Sequence, residues 1–400
     1  MDLRRRAEQL DADDPLSSYR DRFVPMGDVI AYLDGNSLGR PLRDAQERLA
    51  FFVAGAWGKR LIRSWDEGWM DWPSLVGDQI ARVALGAAAG QTVVADSTTV
   101  LLYKLARAAV DARPGRSEIV LGSDDFPTDR YVMEGIAAER GLTLRWIDTD
   151  PGAGLSVEQV AAAVGPETAL VVLSHVSYRS AYLADLQAIC AAAHEAGALV
   201  LADLCHSVGA VPVSLDEWGV DLAVGCTYKY LNGGPGSPAF AYVSRDLAVR
   251  QPIWGWMGRR DPMEMAAGYD AAPGVRQLVS GTPPILAMVP LWASLDLLEE
   301  VGVEAVRAKS VALTSYTLEL ADEWLVPLGV LVASPRSPER RGGHVTLCRD
   351  DFRAVKDRLW ERGVVPDFRA PDGLRVGLSP LSTSFTELYD GMLALRDEIA

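Results

Sequence analysis

The middle of the chain alternates short apolar runs with longer amphipathic stretches. Apolar runs of strand length lie at residues 117–122, 143–147, 169–174, 198–202 and 222–226. The stretches between them, such as residues 185–196, place apolar side chains at helical spacing and are long enough to cross from one strand to the next. This alternation predicts an α/β domain with a mostly parallel central sheet.

The pattern changes near residue 280, where Gly281-Thr-Pro-Pro284 interrupts the chain. Helical patterns follow at 290–301, 303–324, 352–362 and from residue 384, and strand patterns lie at 344–348 and 374–378. We therefore expect a large domain at residues 57–289 and a smaller α+β C-terminal domain at residues 290–400. The N-terminal segment, residues 1–56, is expected to pack on the small domain.

Composition and charge narrow the classes of function. Of 400 residues, 49% are hydrophobic and 23% are charged, as in an ordinary globular protein. The net charge of −15 argues against nucleic acid or an anionic membrane as the partner. The four cysteines form no CxxC pair, so neither a disulfide framework nor a metal site is predicted. Without an apolar signal core or a bilayer-length apolar run, a cytoplasmic protein is expected.

One lysine has an unusual setting, in the stretch CTYKYLNGGPG that starts at Cys226. Lys229 follows an apolar run directly, and α/β sheets place their active sites at the carboxyl ends of strands. A partly desolvated lysine amine is a nucleophile suited to Schiff-base chemistry with an aldehyde cofactor. The alternative is an exposed lysine in a glycine-rich turn.

Two further features fit a phosphorylated pyridine cofactor. Asp203 ends the apolar run before it, where a carboxylate can hold a protonated pyridine nitrogen, and His206 could orient that carboxylate or stack near the ring. Ser97, Thr98 and Thr99 precede a helical pattern at residues 100–110, so hydroxyls and backbone N–H groups meet at a helix N-terminus suited to phosphate. Taken singly, the acid and the hydroxyls could be plain helix caps, and the histidine could be structural.

Several motifs in order resemble the kynureninase family of pyridoxal-phosphate enzymes, which have the aspartate aminotransferase fold, fold type I. The resemblance runs from about residue 10 to the C-terminus. Its motifs are Asp203-x-x-His206, Tyr228-Lys229-Tyr-Leu-Asn232, Gly281-Thr-Pro-Pro284, Tyr32-Leu-Asp-Gly-Asn-Ser-Leu-Gly39, Trp57-Gly-x-x-Leu-Ile-Arg-Ser-Trp65, Phe126-Pro-Thr-Asp129, Gly255-Trp256 and Leu374-Arg375-x-Gly-Leu-Ser-Pro380.

The resemblance implies a set of cofactor contacts. Lys229 would bind pyridoxal 5'-phosphate covalently, Asp203 would pair with its pyridine nitrogen and Phe126 would cover its ring. The phosphate would be held by several groups, one of them Thr282 from the other subunit of a homodimer with shared active sites. The implied cofactor residues are Thr98, Thr99, Phe126, Asp129, Asp203, His206, Tyr228, Lys229, Trp256 and Thr282.

The resemblance also implies a reaction. A kynureninase-type hydrolase would cleave the Cβ–Cγ bond of L-kynurenine or a substituted kynurenine, giving an anthranilate and L-alanine. Lys229 and Tyr228 would move protons, and Arg375 would bind the substrate α-carboxylate. Asn36, Ser37 and Trp65 would line the aryl pocket. Arg375 could instead pair with a structural acid such as Asp367, and Trp65 and Trp256 could be core aromatics.

Four positions depart from the family pattern and leave the substrate open. They are Leu101, where the family usually has Asn, Arg259, where it has His, Pro262 or Met263, where an aromatic residue is expected, and Ser382, where it has Tyr. One interpretation is drift within a kynureninase that acts in tryptophan catabolism. Another is an enzyme of secondary metabolism that acts on a different γ-oxo α-amino acid, and a third is a catalytically silent homologue that serves as a binding subunit.

Overall fold

The strands of the computed structural model, which describes residues 2–150 and 152–400, fall into two sheets. They are β1 (Ala31–Leu33), β2 (Thr92–Ala95), β3 (Glu118–Gly122), β4 (Thr143–Ile147), β5 (Thr168–Ser174), β6 (Leu199–Asp203), β7 (Leu222–Gly225), β8 (Ala239–Val243), β9 (Leu331–Val332), β10 (His344–Cys348), β11 (Val364–Arg369) and β12 (Gly373–Gly377).

The helices connect and cover these sheets. They are α1 (Leu3–Ala12), α2 (Arg43–Phe52), α3 (Trp72–Ile80), α4 (Thr98–Asp111), α5 (Pro127–Arg140), α6 (Val157–Ala163), α7 (Leu186–Glu195), α8 (Leu215–Trp218), α9 (Ile285–Val301), α10 (Val303–Leu320), α11 (Phe352–Glu361) and α12 (Phe385–Ile399). No helix within residues 2–150 and 152–400 is both long enough and apolar enough to cross a membrane.

The larger sheet has the strand order β2-β8-β7-β6-β5-β3-β4. The five strands from β3 to β7 run parallel, as their apolar runs predicted. Strands β3, β5, β6 and β7 are buried on both faces, as is usual for parallel strands, whereas β4 at the edge is mostly exposed. Helices α4 and α5 pack on one face and α7 and α9 on the other, each through a buried apolar cluster. The antiparallel strands β8 and β2, which extend the sheet beyond β7, were missing from the sequence-based prediction.

The smaller sheet has the order β1-β11-β12-β10-β9 and includes a strand from the N-terminal segment. Strand β1 pairs parallel with β11, placing Tyr32 opposite Val365. Helix α1 joins the same unit, because the Asp11 carboxylate accepts the Phe385 N–H at the start of α12, at 2.8 Å. Helix α2 instead packs on α9, where Arg48 and Asp296 are 2.7 Å apart.

Helix α9 corrects one predicted boundary. The sequence pattern suggested a start at Pro290, but the helix begins five residues earlier, at Ile285. Pro290 lies inside it and cannot donate a backbone hydrogen bond to the preceding turn. The helix continues because Ile285 and Val289 are buried against α2 and its neighbouring aromatic residues.

Candidate active site

A pocket lies at the carboxyl edge of the larger sheet. The register of β5 and β6 sets Ser174 beside Asp203, so the residues that follow both strands meet at this edge. The N-termini of α4 and α5 complete the wall. Predicted site residues that line the pocket are Thr98, Thr99, Phe126, Asp129, Asp203, His206, Tyr228 and Lys229.

Lys229 is held by a histidine. Its Nζ lies 2.9 Å from His206 Nε2 and 6.0 Å from the centre of the Phe126 ring. Burial, reinforced by the positive charges of Lys229 and Arg375, lowers the His206 pKa well below its usual value. The imidazole is therefore neutral and can accept a hydrogen bond from the lysine.

Two buried carboxyl groups share the floor of the pocket. Asp203 is 6% exposed, and its Oδ1 accepts the Cys205 N–H at 2.7 Å. Asp129 is 1% exposed, and burial together with the charges of Asp203 and Asp125 raises its pKa well above the usual value. Two carboxylates this close repel each other, so the site favours a positively charged partner, which fits a protonated pyridine nitrogen.

The first turn of α4 forms one end of the pocket. Thr98 and Thr99 line the cavity at this end. Within residues 2–150 and 152–400, the Ser97 side chain makes no capping hydrogen bond, although Ser97 occupies the capping position. The N–H groups of this turn are thus not taken up by a local cap and can meet an anion.

The N-terminal segment packs directly on the turn that carries Lys229. Gly39 donates its N–H to the Tyr228 carbonyl at 2.8 Å. A Cβ on Gly39 would lie 2.3 Å from the Lys229 carbonyl oxygen, so only glycine fits there. The phenol of Tyr228 lines the pocket, and burial raises its pKa. The N-terminal segment therefore helps to fix the position of Lys229, the candidate nucleophile.

Arg375 lies behind the pocket and is already engaged. It is 1% exposed, and its Nη1 donates to the Tyr178 carbonyl at 2.8 Å while its Nε donates to Asp367 at 2.8 Å. The pairing with Asp367, which the sequence left open, is thus present. Ser37 accepts a bond from Arg375 Nη2 at 2.9 Å, and Asn36 is fully buried, close to Gly377.

Three predicted site residues lie away from the pocket. Trp65 packs edge-on against Trp69, with ring centres 5.4 Å apart. Trp256 is 39% exposed, and Thr282 is also exposed. We define an apolar surface by Phe51, Trp57, Leu61, Ile62, Trp254, Trp256 and Leu286, each of which is more than a third exposed.

The four departures from the family pattern also lie apart from the pocket lining. Leu101 is fully buried in the apolar cluster between α4 and the sheet, and Ser382 is 2% exposed. Arg259 binds within its own loop, donating to the Asp261 carbonyl and to Glu264, both at 3.2 Å. Met263 is half exposed on the same loop.

Sequence reasoning missed five residues of the pocket wall, Thr128, Ser174, Val176, Tyr178 and Cys205. Ser174 ends β5, and Tyr178 follows it, stacking edge-on against Phe126 with ring centres 5.2 Å apart. The rule that placed Asp203 at a strand end also applies to β5 and would have indicated this segment.

Comparisons with known proteins agree with this geometry. The family described as "Kynureninase C-terminal domain" matches residues 306–395, and "Cys/Met metabolism PLP-dependent enzyme" matches residues 78–237. A kynureninase of Pseudomonas fluorescens is 40% identical, covering 97% of this chain and 93% of the relative. One of Burkholderia pseudomallei (strain 1106a) is 39% identical, covering 99% and 95%.

Solved structures show the fold independently. A cysteine desulfurase from Thermococcus onnurineus NA1 superposes with a TM-score of 0.80 at 18% identity and covers 98% of each chain. The cystine C-S lyase C-DES, in complex with cysteine persulfide, has a TM-score of 0.79 at 19% identity and covers 93% of this chain and 98% of its own. The predicted fold type I architecture is confirmed. With near full-length identity of about 40% to curated relatives, the chain belongs to the kynureninase family of pyridoxal-phosphate-dependent enzymes.

Proposed function

We propose that this protein hydrolyses the Cβ–Cγ bond of L-kynurenine or a ring-substituted kynurenine, releasing an anthranilate and L-alanine. The observation that carries the proposal is the joint placement of Lys229, His206 and Asp203 in one pocket. This placement occurs in a chain that is 40% identical to a kynureninase over nearly its whole length.

The pocket fits pyridoxal phosphate group by group. Lys229 would take the aldehyde, and the carboxyl pair of Asp203 and Asp129 would hold the pyridine nitrogen. The uncapped turn at Thr98 and Thr99 would take the phosphate. His206 Nδ1 and Asp129 Oδ1 are buried and lack a hydrogen-bond partner among the described residues, so polar capacity remains for a ligand. When bound, this cofactor supplies an electron sink for the substrate's α-carbon.

The protein's own groups divide the remaining tasks. The Lys229 amine takes the proton from the substrate's α-carbon, and neutral His206 accepts a hydrogen bond from the resulting ammonium. Tyr228, whose raised pKa keeps its phenol protonated, is the acid that returns a proton to the product carbon. Water supplies the oxygen of the new carboxylate, and the β-carbon keeps the electron pair of the broken bond.

Arg375 orients the substrate through its α-carboxylate. A guanidinium binds a carboxylate through two parallel hydrogen bonds. Asp367 and the Tyr178 carbonyl hold the guanidinium plane of Arg375 in place. Ser37 Oγ accepts a hydrogen bond from Arg375 Nη2, and a substrate carboxylate would compete with it for that donor. Asn36, Ser37 and Trp65 would contact the aryl end of the substrate.

We further propose a homodimer in which the apolar surface is the interface. Large apolar side chains left exposed, as Phe51 (79%) and Ile62 (76%) are, are typical of a protein contact when they lie together. In such a dimer Thr282 and Trp256 of one subunit would reach the phosphate in the other. We also propose a cytoplasmic location, which the widely spaced cysteines favour because thiols persist in reducing compartments.

The test is a turnover assay of the cofactor-loaded protein on L-kynurenine, 3-hydroxy-L-kynurenine and a ring-substituted kynurenine in parallel. Mass spectrometry scores the anthranilate and alanine. We expect release of anthranilate from plain kynurenine, since Leu101 packs in the core and Arg259 binds within its loop. Turnover of only a substituted substrate would favour secondary metabolism, and a protein that binds the cofactor but cleaves none of the three would favour a silent binding subunit.

A further inference from the structure

A negative charge stands directly before the proposed phosphate turn. Asp96 links β2 to Ser97, and its backbone has a positive φ of 42°, in the left-handed region that non-glycine residues rarely adopt. Its side chain is 31% exposed. A carboxylate at this position opposes a phosphate dianion bound at Thr98 and Thr99, because like charges repel strongly where solvent is partly excluded.

A buried lysine forms an ion pair with the Asp96 carboxylate. Lys104 lies in the second turn of α4, and its side chain is completely buried. Its Nζ lies 2.5 Å from Asp96 Oδ2 and 2.6 Å from the Leu278 carbonyl oxygen. Leu278 ends the turn that leads to Thr282, so one ammonium group joins Asp96 to the segment before Thr282.

We propose that Lys104 is a positioning residue that neutralises Asp96 and so permits a phosphate dianion to bind at the first turn of α4. The proposal rests on the proposed cofactor site. Lys104 does not contact the phosphate itself and acts through Asp96. A buried ammonium requires a partner, and Asp96 and the Leu278 carbonyl provide it.

This role predicts a charge pattern across three variants. Lys104→Met leaves the Asp96 carboxylate uncompensated and should weaken pyridoxal phosphate binding about tenfold or more. Asp96→Asn keeps the ammonium and removes the repulsion, so binding should be at least as tight as in the wild type. The double variant carries neither charge and should recover most of the affinity lost in Lys104→Met.

The measurement is a spectroscopic titration of the cofactor-stripped full-length protein with pyridoxal phosphate and, separately, with pyridoxal. Pyridoxal has the aldehyde but no phosphate, so its affinity should change less than about threefold in Lys104→Met. Recovery in the double variant, together with this selectivity, supports the proposal. A double variant as weak as Lys104→Met, or equal losses for both ligands, would show a purely structural role and overturn it.

The chain offers a matched control in a second buried lysine–aspartate pair. Lys309 Nζ lies 2.7 Å from Asp14 Oδ2, with the side chains 4% and 1% exposed, and joins α10 to the N-terminal segment. Lys309→Met should lower stability without changing pyridoxal phosphate affinity. If Lys104→Met does not fold, the Asp96→Asn variant alone tests the proposal. Pyridoxal phosphate affinity equal to or tighter than wild type supports it, and affinity more than threefold weaker contradicts it. Cofactor affinity is read without kynurenine, so a failure of the proposed reaction would leave this result intact.

Discussion

The two groups of predicted cofactor residues have opposite surroundings in this chain. Lys229, Asp203 and His206 are held by hydrogen bonds at the carboxyl edge of the larger sheet. Trp256 and Thr282, assigned to the same cofactor, are exposed on or beside the apolar surface. The sheet of a single chain assembles the first group, whereas the side chains of Trp256 and Thr282 make no hydrogen bond among the described residues.

The contrast shows what each kind of structure can organise. Parallel strands bring the residues after them to one edge, whatever lies elsewhere on the surface. The segments around Trp57 and Trp256 have no such scaffold, and their exposed apolar side chains need a partner surface to become ordered contacts. Substitutions in each group can test this division, and the buried group depends most on Lys229.

Lys229→Ala should have the largest effect. Removing the amine removes the covalent attachment of the cofactor and the base for the α-proton, so we expect at least a roughly thousandfold loss of turnover. The absorbance of the lysine-bound cofactor should also disappear, as read by spectrum and by anthranilate release. Lys356→Ala, on α11, is the control and should retain both. A coloured, active Lys229→Ala protein would contradict the assignment.

The buried half should also be sensitive to acid. His175, whose backbone N–H donates to the Asp203 carbonyl at 2.9 Å, has a side-chain pKa lowered to about 4, chiefly by burial. The unfolded chain takes up that proton near pH 6.5, so folding stability is lost as the pH falls from there toward 4. Between pH 6.5 and 4.5 the loss is about 2–3 kcal/mol from this residue.

The His175→Gln variant isolates this contribution. Urea unfolding at both pH values should show a smaller fall in the free energy of unfolding than in the wild type. His194 is the control with the opposite sign, because the hydrogen bond that its ring donates to the Asp221 carboxylate raises its pKa. It stabilises the fold at low pH, and that contribution disappears as the pH rises through its folded pKa. Identical pH dependence in wild type and His175→Gln would refute the first claim.

The sequence predicted the buried half much better than the exposed half. Strands β3, β5, β6 and β7 were recognised because all or nearly all of their residues are apolar. Asp203 and Lys229 were identified because each follows such a run. Strand β8 was missed because its five residues follow a glycine-rich turn and nothing in their pattern shows which strand they pair with.

Other features could not be read from local pattern at all. Lys104 occurs in an amphipathic helix, where a lysine usually indicates a solvated face, and only tertiary pairing with Asp96 shows that it is buried. Trp65 and Thr282 were placed by family resemblance alone. The proposed contact of Thr282 depends on a second subunit, whose arrangement no periodicity in one chain specifies.

An acidic substitution on the apolar surface should distinguish the exposed cofactor residues from the buried ones. Ile62→Asp places a charge where the proposed interface would bury it, so we expect monomers and roughly a tenfold weaker cofactor affinity, because Thr282 and Trp256 would no longer reach a neighbouring site. Light scattering and cofactor titration measure both effects. Leu331→Asp, at a position 70% exposed on β9, is the matched control and should change neither. A fully active monomer would disprove the shared site.

Arg259→His should have the smallest effect on the reaction. The change introduces the residue expected from the family pattern, at a position where Arg259 binds only the Asp261 carbonyl and Glu264 among the described residues. Its side chain is 12% exposed, and these partners belong to its own loop, so its loss should cost local order rather than substrate contacts. We expect kcat/KM for L-kynurenine to stay within about threefold of wild type. If kcat/KM instead rises tenfold or more, Arg259 restricts the aryl pocket across the dimer, and the exposed half of the site determines the substrate.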